Sequence, residues 1–328
     1  MQKTKDKKAV LLINLGAPGS LDDIEPFLRN LFFDPMILPI APAFLRKFVA
    51  GIIARRRTPV VKPRYSLIGG GSPLLQITAK QASALENWLR TKGLEVPVFI
   101  GMRYSTPTIE DALREISSAG ANFLVILCLY PQFSFTTTSS ALKEVNRVLK
   151  KMNYNPQIAC INRWCEHPLY IEALAQRLKK ALGEFEPDVQ DEVRIIFSAH
   201  SIPERSVRKG DPYPNDVALT VRGVLGHLQI SNKWHIAYQS RAGRLRWLSP
   251  AVDELILNLI GEGARSFLLM PVSFVSDHFE TLYEIDILLN NRLKSAGVEH
   301  FRRTDSLNDA PDFIEVLGQL VTEALQTS

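Results

Sequence analysis

The feature that most constrains this 328-residue chain is a series of unbroken apolar runs. Strands with one solvated face alternate apolar and polar residues, whereas continuous runs mark strands covered on both faces. Three such runs, at 9–16, 96–101 and 123–129, are followed by three more at 193–200, 235–240 and 266–271, with helix-like segments between them. The pattern predicts an α/β fold with parallel sheets. The third members of the two series match best. Gly120-Ala121-Asn122 precedes one and Gly263-Ala264-Arg265 the other, and each run reaches a proline, Pro131 or Pro271. The chain therefore reads as a duplicated unit.

The halves differ in spacing, with about 90 residues between the first two run starts of the first half against about 40 in the second, so the first half carries an insertion. Within it, 35–65 holds Arg46, Lys47, Arg55, Arg56, Arg57, Lys62 and Arg64 and no acidic residue. Its apolar residues are Met36, Ile37, Leu38 and Ile40, then Phe44, Leu45, Phe48, Val49, Ile52 and Ile53. The last six recur every three to four residues, which puts a wide apolar stripe on a short helix. Two readings stand: a helix docked on the core, or a lip that sits on a membrane or covers a flat apolar ligand while its arginines meet phosphate or carboxylate groups.

Composition narrows the classes. At 46% hydrophobic and 22% charged the chain can bury a large core, and its net charge of +5 admits an anionic surface or an acidic small molecule as partner. Its basic residues concentrate in an apolar segment, and not on a face interleaved with aromatics, which argues against nucleic acid. The longest apolar run, 123–130, is strand-sized, short of the roughly 20 residues a membrane span needs. Cys128, Cys160 and Cys165 are too few for a disulfide framework, and Lys3, Lys5, Lys7 and Lys8 follow Met1 without a signal-like apolar stretch. The expected compartment is the cytoplasm.

In open parallel sheets ligands bind beyond the carboxyl ends of strands. His200 closes the run Phe197-Ser198-Ala199-His200, and the run ending at Pro271 leads into Phe274-Val275-Ser276-Asp277-His278-Phe279-Glu280. A helix capped by Ser276 or Asp277 would place Glu280 and Glu284 on one face, four residues apart. A solvated helix face and a loop histidine would account for both features. The alternative is a carboxylate track for a divalent cation with His200 as a nitrogen ligand, leaving coordination positions open for a metal that must be handed onward. Weaker signals are Gly69-Gly70-Gly71-Ser72-Pro73, which could cradle an anion, Arg103 and Tyr104 after the second run, and Tyr130 with Gln132 after the third.

Taken in order, the motifs resemble the ferrochelatase family from about residue 10 to 317. The carriers are Asn14-Leu15-Gly16-Ala17-Pro18, Arg56-Arg57-Thr58-Pro59, Gly69-Gly70-Gly71-Ser72-Pro73, Tyr130-Pro131-Gln132, Arg163-Trp164, Ser198-Ala199-His200-Ser201-Ile202-Pro203, Gly210-Asp211-Pro212-Tyr213, Tyr238-Gln239-Ser240-Arg241 and Ser276-Asp277-His278-Phe279-Glu280-Thr281-Leu282-Tyr283-Glu284. The resemblance implies two similar Rossmann-like domains, each with a central parallel four-stranded sheet flanked by helices. We expect them at 1–172, with the lip insertion at about 20–75, and at 173–328, whose last helix is a candidate to pack back on the first domain.

The resemblance further implies insertion of Fe(2+) into protoporphyrin IX, the terminal step of haem synthesis, with release of two protons and peripheral contact with the inner face of the membrane. It places the catalytic and metal roles on His200 and Glu280, and a secondary metal or proton path on Asp277, His278, Glu284 and Trp164. Expected substrate contacts are Met36, Arg56, Arg57, Ser72, Arg103, Tyr104, Tyr130 and Phe274. Iron is expected as substrate with no permanently bound cofactor. No iron–sulfur cluster is expected, because no cysteine follows Cys165. Haem-pathway enzymes are candidate partners. Coproporphyrin III, another tetrapyrrole and metal pair, and a non-catalytic tetrapyrrole carrier remain alternatives.

Overall fold

A computed structural model describes residues 7–38, 42–241 and 245–326, so that Ile40 of the predicted lip and the early Lys3 and Lys5 lie outside the described residues. The chain divides into two compact units, 1–163 with 308–328, and 164–307.

The first unit runs β1 (Lys8–Asn14), α1 (Ile24–Phe33), α2 (Ala43–Ser66), α3 (Leu74–Thr91), β2 (Val98–Met102), α4 (Ile109–Ser118), β3 (Phe123–Cys128), a π-helical turn (Phe135–Ser139), α5 (Ser140–Met152) and β4 (Gln157–Ile161). All strand pairs are parallel, in the order β2-β1-β3-β4. Every residue of β3 is buried, as expected of a run covered on both faces. Leu11, Ile13, Leu124 and Ile126 pack with Ile109, Leu113 and Ile116 of α4 and with Val145 and Val148 of α5. Each such side chain contributes roughly 1.5–3 kcal/mol when fully buried. Helix α4 starts where it does because Thr108 and Asp111 form a reciprocal cap, the Thr108 hydroxyl accepting from the Asp111 backbone and the Asp111 carboxylate from that of Thr108.

The second unit runs α6 (Pro168–Leu182), β5 (Arg194–His200), α7 (Glu204–Arg208), α8 (Tyr213–Leu228), β6 (Trp234–Gln239), α9 (Val252–Gly261), β7 (Ser266–Pro271), a π-helix (Glu280–Leu289), α10 (Asn290–Ser295) and β8 (His300–Arg303). Its parallel order, β6-β5-β7-β8, repeats that of the first sheet position by position. Even the irregularity recurs, because a π-helical segment follows the third strand of each unit.

The break falls between Arg163 and Trp164, earlier than the expected 172/173. Helix α6 packs on α8 and β7, and Trp164 is buried edge-on against Tyr170, whose hydroxyl donates to the Val272 carbonyl at 3.1 Å. These contacts tie the segment to the second unit. The carboxy-terminal helix Pro311–Gln326 belongs to the first unit, packing on α3. Gly318 permits this approach, because a Cβ there would lie 2.3 Å from the Trp88 ring.

Two expectations about the insertion change. Helix α2 is long, 24 residues, and continues through Pro59 and Pro63, both at exposed positions. Its buried positions are Ala50, Ala54 and Tyr65, the two alanines being small enough to let α2 lie close to α1, while Phe44, Leu45, Phe48 and Ile52 are exposed. Phe44 is 81% exposed, Phe48 69% and Ile52 38%. The stripe is therefore not a core face.

Candidate active site

In the second unit, β5 and β7 are adjacent parallel strands, so the residues beyond their carboxyl ends are neighbours. His200 ends β5, and its backbone N–H donates to Ser273 Oγ at 2.9 Å in the segment after β7. The His200 ring packs edge-on against Phe274, centroids 6.0 Å apart, and Phe274 packs against His278 at 4.4 Å. His278 Nδ1 faces the Ser276 carbonyl at 2.9 Å, and Nε2 faces Glu280 Oε2 at 3.0 Å. A carbonyl can only accept, so the Nδ1 proton is fixed and the second nitrogen meets a carboxylate.

The three ionisations follow from this arrangement. Burial pushes the His200 pKa below the ordinary histidine value, outweighing the attraction of Glu280. Burial opposes charge on His278 as well, but the adjacent Glu280 overrides it and raises that pKa. Glu280 is likewise held ionised against the cost of burial, chiefly by the charge and hydrogen bond of His278. The site thus presents a neutral imidazole, His200, near a carboxylate already balanced by His278.

The helix carrying Glu280 differs from the α-helix expected. It winds as a π-helix from Glu280, and Phe279, the residue before it, makes no side-chain cap. The Ser276 carbonyl is taken by His278, and Asp277 pairs with Arg303 at 3.2 Å and accepts from the Ser306 hydroxyl at 2.7 Å. Extended π-helical winding is rare and concentrates at functional sites. Glu284, on the same helix, accepts from the Ser240 hydroxyl, presented from the end of β6 by a residue at φ +65°. Among the described residues no group of three or more His, Cys, Asp or Glu side chains is gathered tightly enough to cage a metal. Trp164 is buried edge-on against Tyr170, whose hydroxyl donates to the Val272 carbonyl next to Ser273.

In the first unit the sequence candidates converge on a residue the sequence did not single out, Asp34, which is 3% exposed. Its Oδ2 receives Arg103 Nη2 and the Tyr104 hydroxyl, each at 2.8 Å, and also the Ser140 hydroxyl, while Oδ1 accepts from the backbone of Met36 at 2.8 Å. Tyr104 is 2% exposed, so its hydroxyl serves Asp34. Only the Asp-Pro step after an aromatic pair, Phe32-Phe33-Asp34-Pro35, could have flagged it. Tyr130 is half-buried beside this network, since Tyr104 and Arg103 both act on its ionisation, and its buried hydroxyl has no partner among the described residues. Ser72 is buried and its hydroxyl accepts from the Leu74 backbone, so it caps the turn into α3. Arg56 and Arg57 are exposed on α2, Arg57 lying over the Phe32 ring. Sequence reasoning also missed Ser273 and Arg303, neither of which carries a local pattern.

Comparison with known proteins bears on what such a site does. By backbone, the chain resembles SirB from Bacillus subtilis, solved with Fe3+, at a TM-score of 0.57 and 14% identity over 97% of this chain and 95% of that one. It also resembles CbiX, described as the terminal enzyme of sirohaem biosynthesis in denitrifying bacteria, at 0.51 and 12% over 96% and 99%. By sequence, it is 44% identical to the ferrochelatase of Geotalea uraniireducens over 98% of this chain and 99% of that one. Against the ferrochelatase of a Synechococcus strain it is 41% identical over 98% and 94%. The ferrochelatase family profile matches residues 7–325, and with that span and those full-length relatives the chain belongs to the ferrochelatase family.

Proposed function

We propose that this enzyme, a lyase, inserts Fe(2+) into protoporphyrin IX, with His200 and Glu280 handling the metal and the pyrrole protons. The observation that carries the assignment is geometric: the His200 and His278 rings meet the same Phe274 ring, and His278 Nε2 faces Glu280 Oε2 at 3.0 Å. Metallation replaces two pyrrole N–H bonds by metal bonds, so two protons must leave as the ion sheds its water. A neutral imidazole accepts a proton near physiological pH, and an anionic carboxylate favours the incoming cation without caging it. Phe274, packed between the two histidine rings, fixes their relative orientation. Glu284 supplies a second carboxylate one step along the π-helix.

On the porphyrin side, the exposed guanidinium groups of Arg56 and Arg57 suit propionates, which a guanidinium fork binds bidentately. Arg103 and Tyr104 act through Asp34, which holds the backbone of Met36 and so shapes the segment leading into the lip. The outward stripe of Phe44, Phe48 and Ile52 beside basic residues suits a peripheral contact with an anionic membrane surface. No helix among the described residues is long and apolar enough to cross a membrane. Arg55 and Lys62 are paired with Glu25 and Asp22, which lowers the positive surplus available to a more carboxylated ring.

The test is anaerobic incubation with Fe(2+) and either protoporphyrin IX or coproporphyrin III, followed by absorbance. Faster metallation of protoporphyrin is the expected result. A clear preference for coproporphyrin would overturn the substrate assignment, and binding without turnover of either would leave a carrier.

A further inference from the structure

The side chain of Arg303, at the end of β8, is 12% exposed and reaches two carboxylates on different segments. Its Nε and Nη2 donate to the two oxygens of Asp286 at 2.7 and 2.8 Å, a bidentate fork. Its Nη1 lies 3.2 Å from Asp277 Oδ1 and donates to the Thr304 carbonyl and to Ser306 Oγ. Ser306 in turn donates to the same Asp277 oxygen at 2.7 Å. Asp277 immediately precedes His278, and Asp286 lies two residues beyond Glu284 on the π-helix. One guanidinium thus ties the segment that delivers the His278–Glu280 pair to the helix that carries Glu284.

We infer that Arg303 is a positioning residue for metal insertion, a clamp that fixes the His278–Glu280 pair relative to the π-helix through Asp277 and Asp286. Three considerations support this. Partly burying an arginine between two acids gains little stability over an apolar replacement, so such a group is better explained by the geometry it imposes. Without it, the Asp277 and Asp286 carboxylates would repel each other across the space the guanidinium fills, pushing apart the two segments that must stay in register. The planar fork also sets direction as well as distance, which an ammonium cannot do. Partners that orient metal-handling groups from outside typically cost about 10- to 100-fold in affinity or activity when removed.

The inference rests on the reading that His200 and Glu280 handle the metal, so Glu280→Gln is measured beside the clamp variants. The full chain carrying Arg303→Met is compared with wild type in kcat, in KM for protoporphyrin, in melting temperature and in Co(2+) binding followed by the d–d absorption band. The expected result is a folded protein with kcat about 10- to 100-fold lower, Co(2+) binding weakened by about tenfold with an altered band, and a porphyrin KM within twofold. Arg303→Lys, which keeps the charge but loses the fork, should recover only part of the rate. If Arg303→Met does not fold, Asp286→Asn decides. It leaves Arg303 paired with Asp277 and should lower kcat several-fold with the porphyrin KM unchanged. Wild-type kcat and Co(2+) spectrum in a folded Arg303→Met, or in Asp286→Asn where only that folds, overturn the clamp. So does a loss shared equally by kcat and porphyrin affinity, which would mark general loosening. Unchanged Co(2+) binding and turnover in Glu280→Gln would instead overturn the metal-site reading itself.

Discussion

The pKa values of His200 and His278, which lie within one aromatic cluster, are shifted in opposite directions, one down by burial and the other up by an adjacent carboxylate that outweighs burial. This gives the reaction a pH signature. Below its pKa, His200 carries a proton and can neither accept another nor approach a cation, so kcat/KM should fall on acidification. Because burial lowers that pKa, the midpoint should lie below the ordinary histidine value of about 6.5. Glu280, held ionised by His278, should contribute nothing to this limb above it. A rate profile from pH 5 to 9 checks the sign, and His200→Ala should abolish metallation while leaving porphyrin binding largely intact. An acid limb centred above 7, or near-normal turnover in His200→Ala, would remove His200 from the proton path. His200, Glu280 and His278 were legible in the sequence because they stand where runs end. Ser273 and Arg303 were not, since a serine in a loop and an arginine on an edge strand look alike whether or not they hold a neighbour.

At the scale of elements, what could be read from the sequence followed coverage. The six strands with buried positions appear as the longer apolar runs, whereas β4 offers only Ile158-Ala159-Cys160-Ile161 and β8 no run, and neither of these two edge strands has a buried residue. The stripe on α2 was visible but its direction was not, because spacing states which residues share a face and not what that face meets. Its exposure now makes two predictions. Replacing Phe44, Phe48 and Ile52 together with Ser should leave the melting temperature close to wild type, since substitutions on an exposed surface usually fall within about 0.5 kcal/mol each. The same variant should bind anionic liposomes less and show a raised KM for protoporphyrin; a collapsed transition would return the stripe to the core. Asp34→Ala should behave in the opposite way. It leaves Arg103 largely buried without its carboxylate and strips a shared acceptor from Tyr104 and Ser140, a loss on the order of 3–5 kcal/mol in urea unfolding. A loss below about 1 kcal/mol would mean that water or another group takes over the acceptor role.

The whole molecule repeats one plan twice, four parallel strands in the same order with a π-helical segment after the third, and the halves diverge in what is inserted and what chemistry the strand ends carry. The first unit also joins the two ends of the chain. The carboxy-terminal helix returns to α3, and the absence of a side chain at Gly318 allows it to approach Trp88. Gly318→Val would place a Cβ 2.3 Å from the indole, closer than carbon atoms tolerate, so helix or ring must shift. Overpacking of this kind typically costs about 1–3 kcal/mol. The residues proposed to handle the metal belong to the other unit, with its own core, so Co(2+) binding there should survive while thermal unfolding of the first unit moves down. Trp88→Ala in the same chain removes the obstacle and should offset part of the loss, making the double variant more stable than the sum of the two single effects predicts. Calorimetry on wild type, both single variants and the pair tests this. Strict additivity, or a wild-type transition in Gly318→Val, would show that the helix has room to spare and that its return to the first unit depends on its apolar face alone.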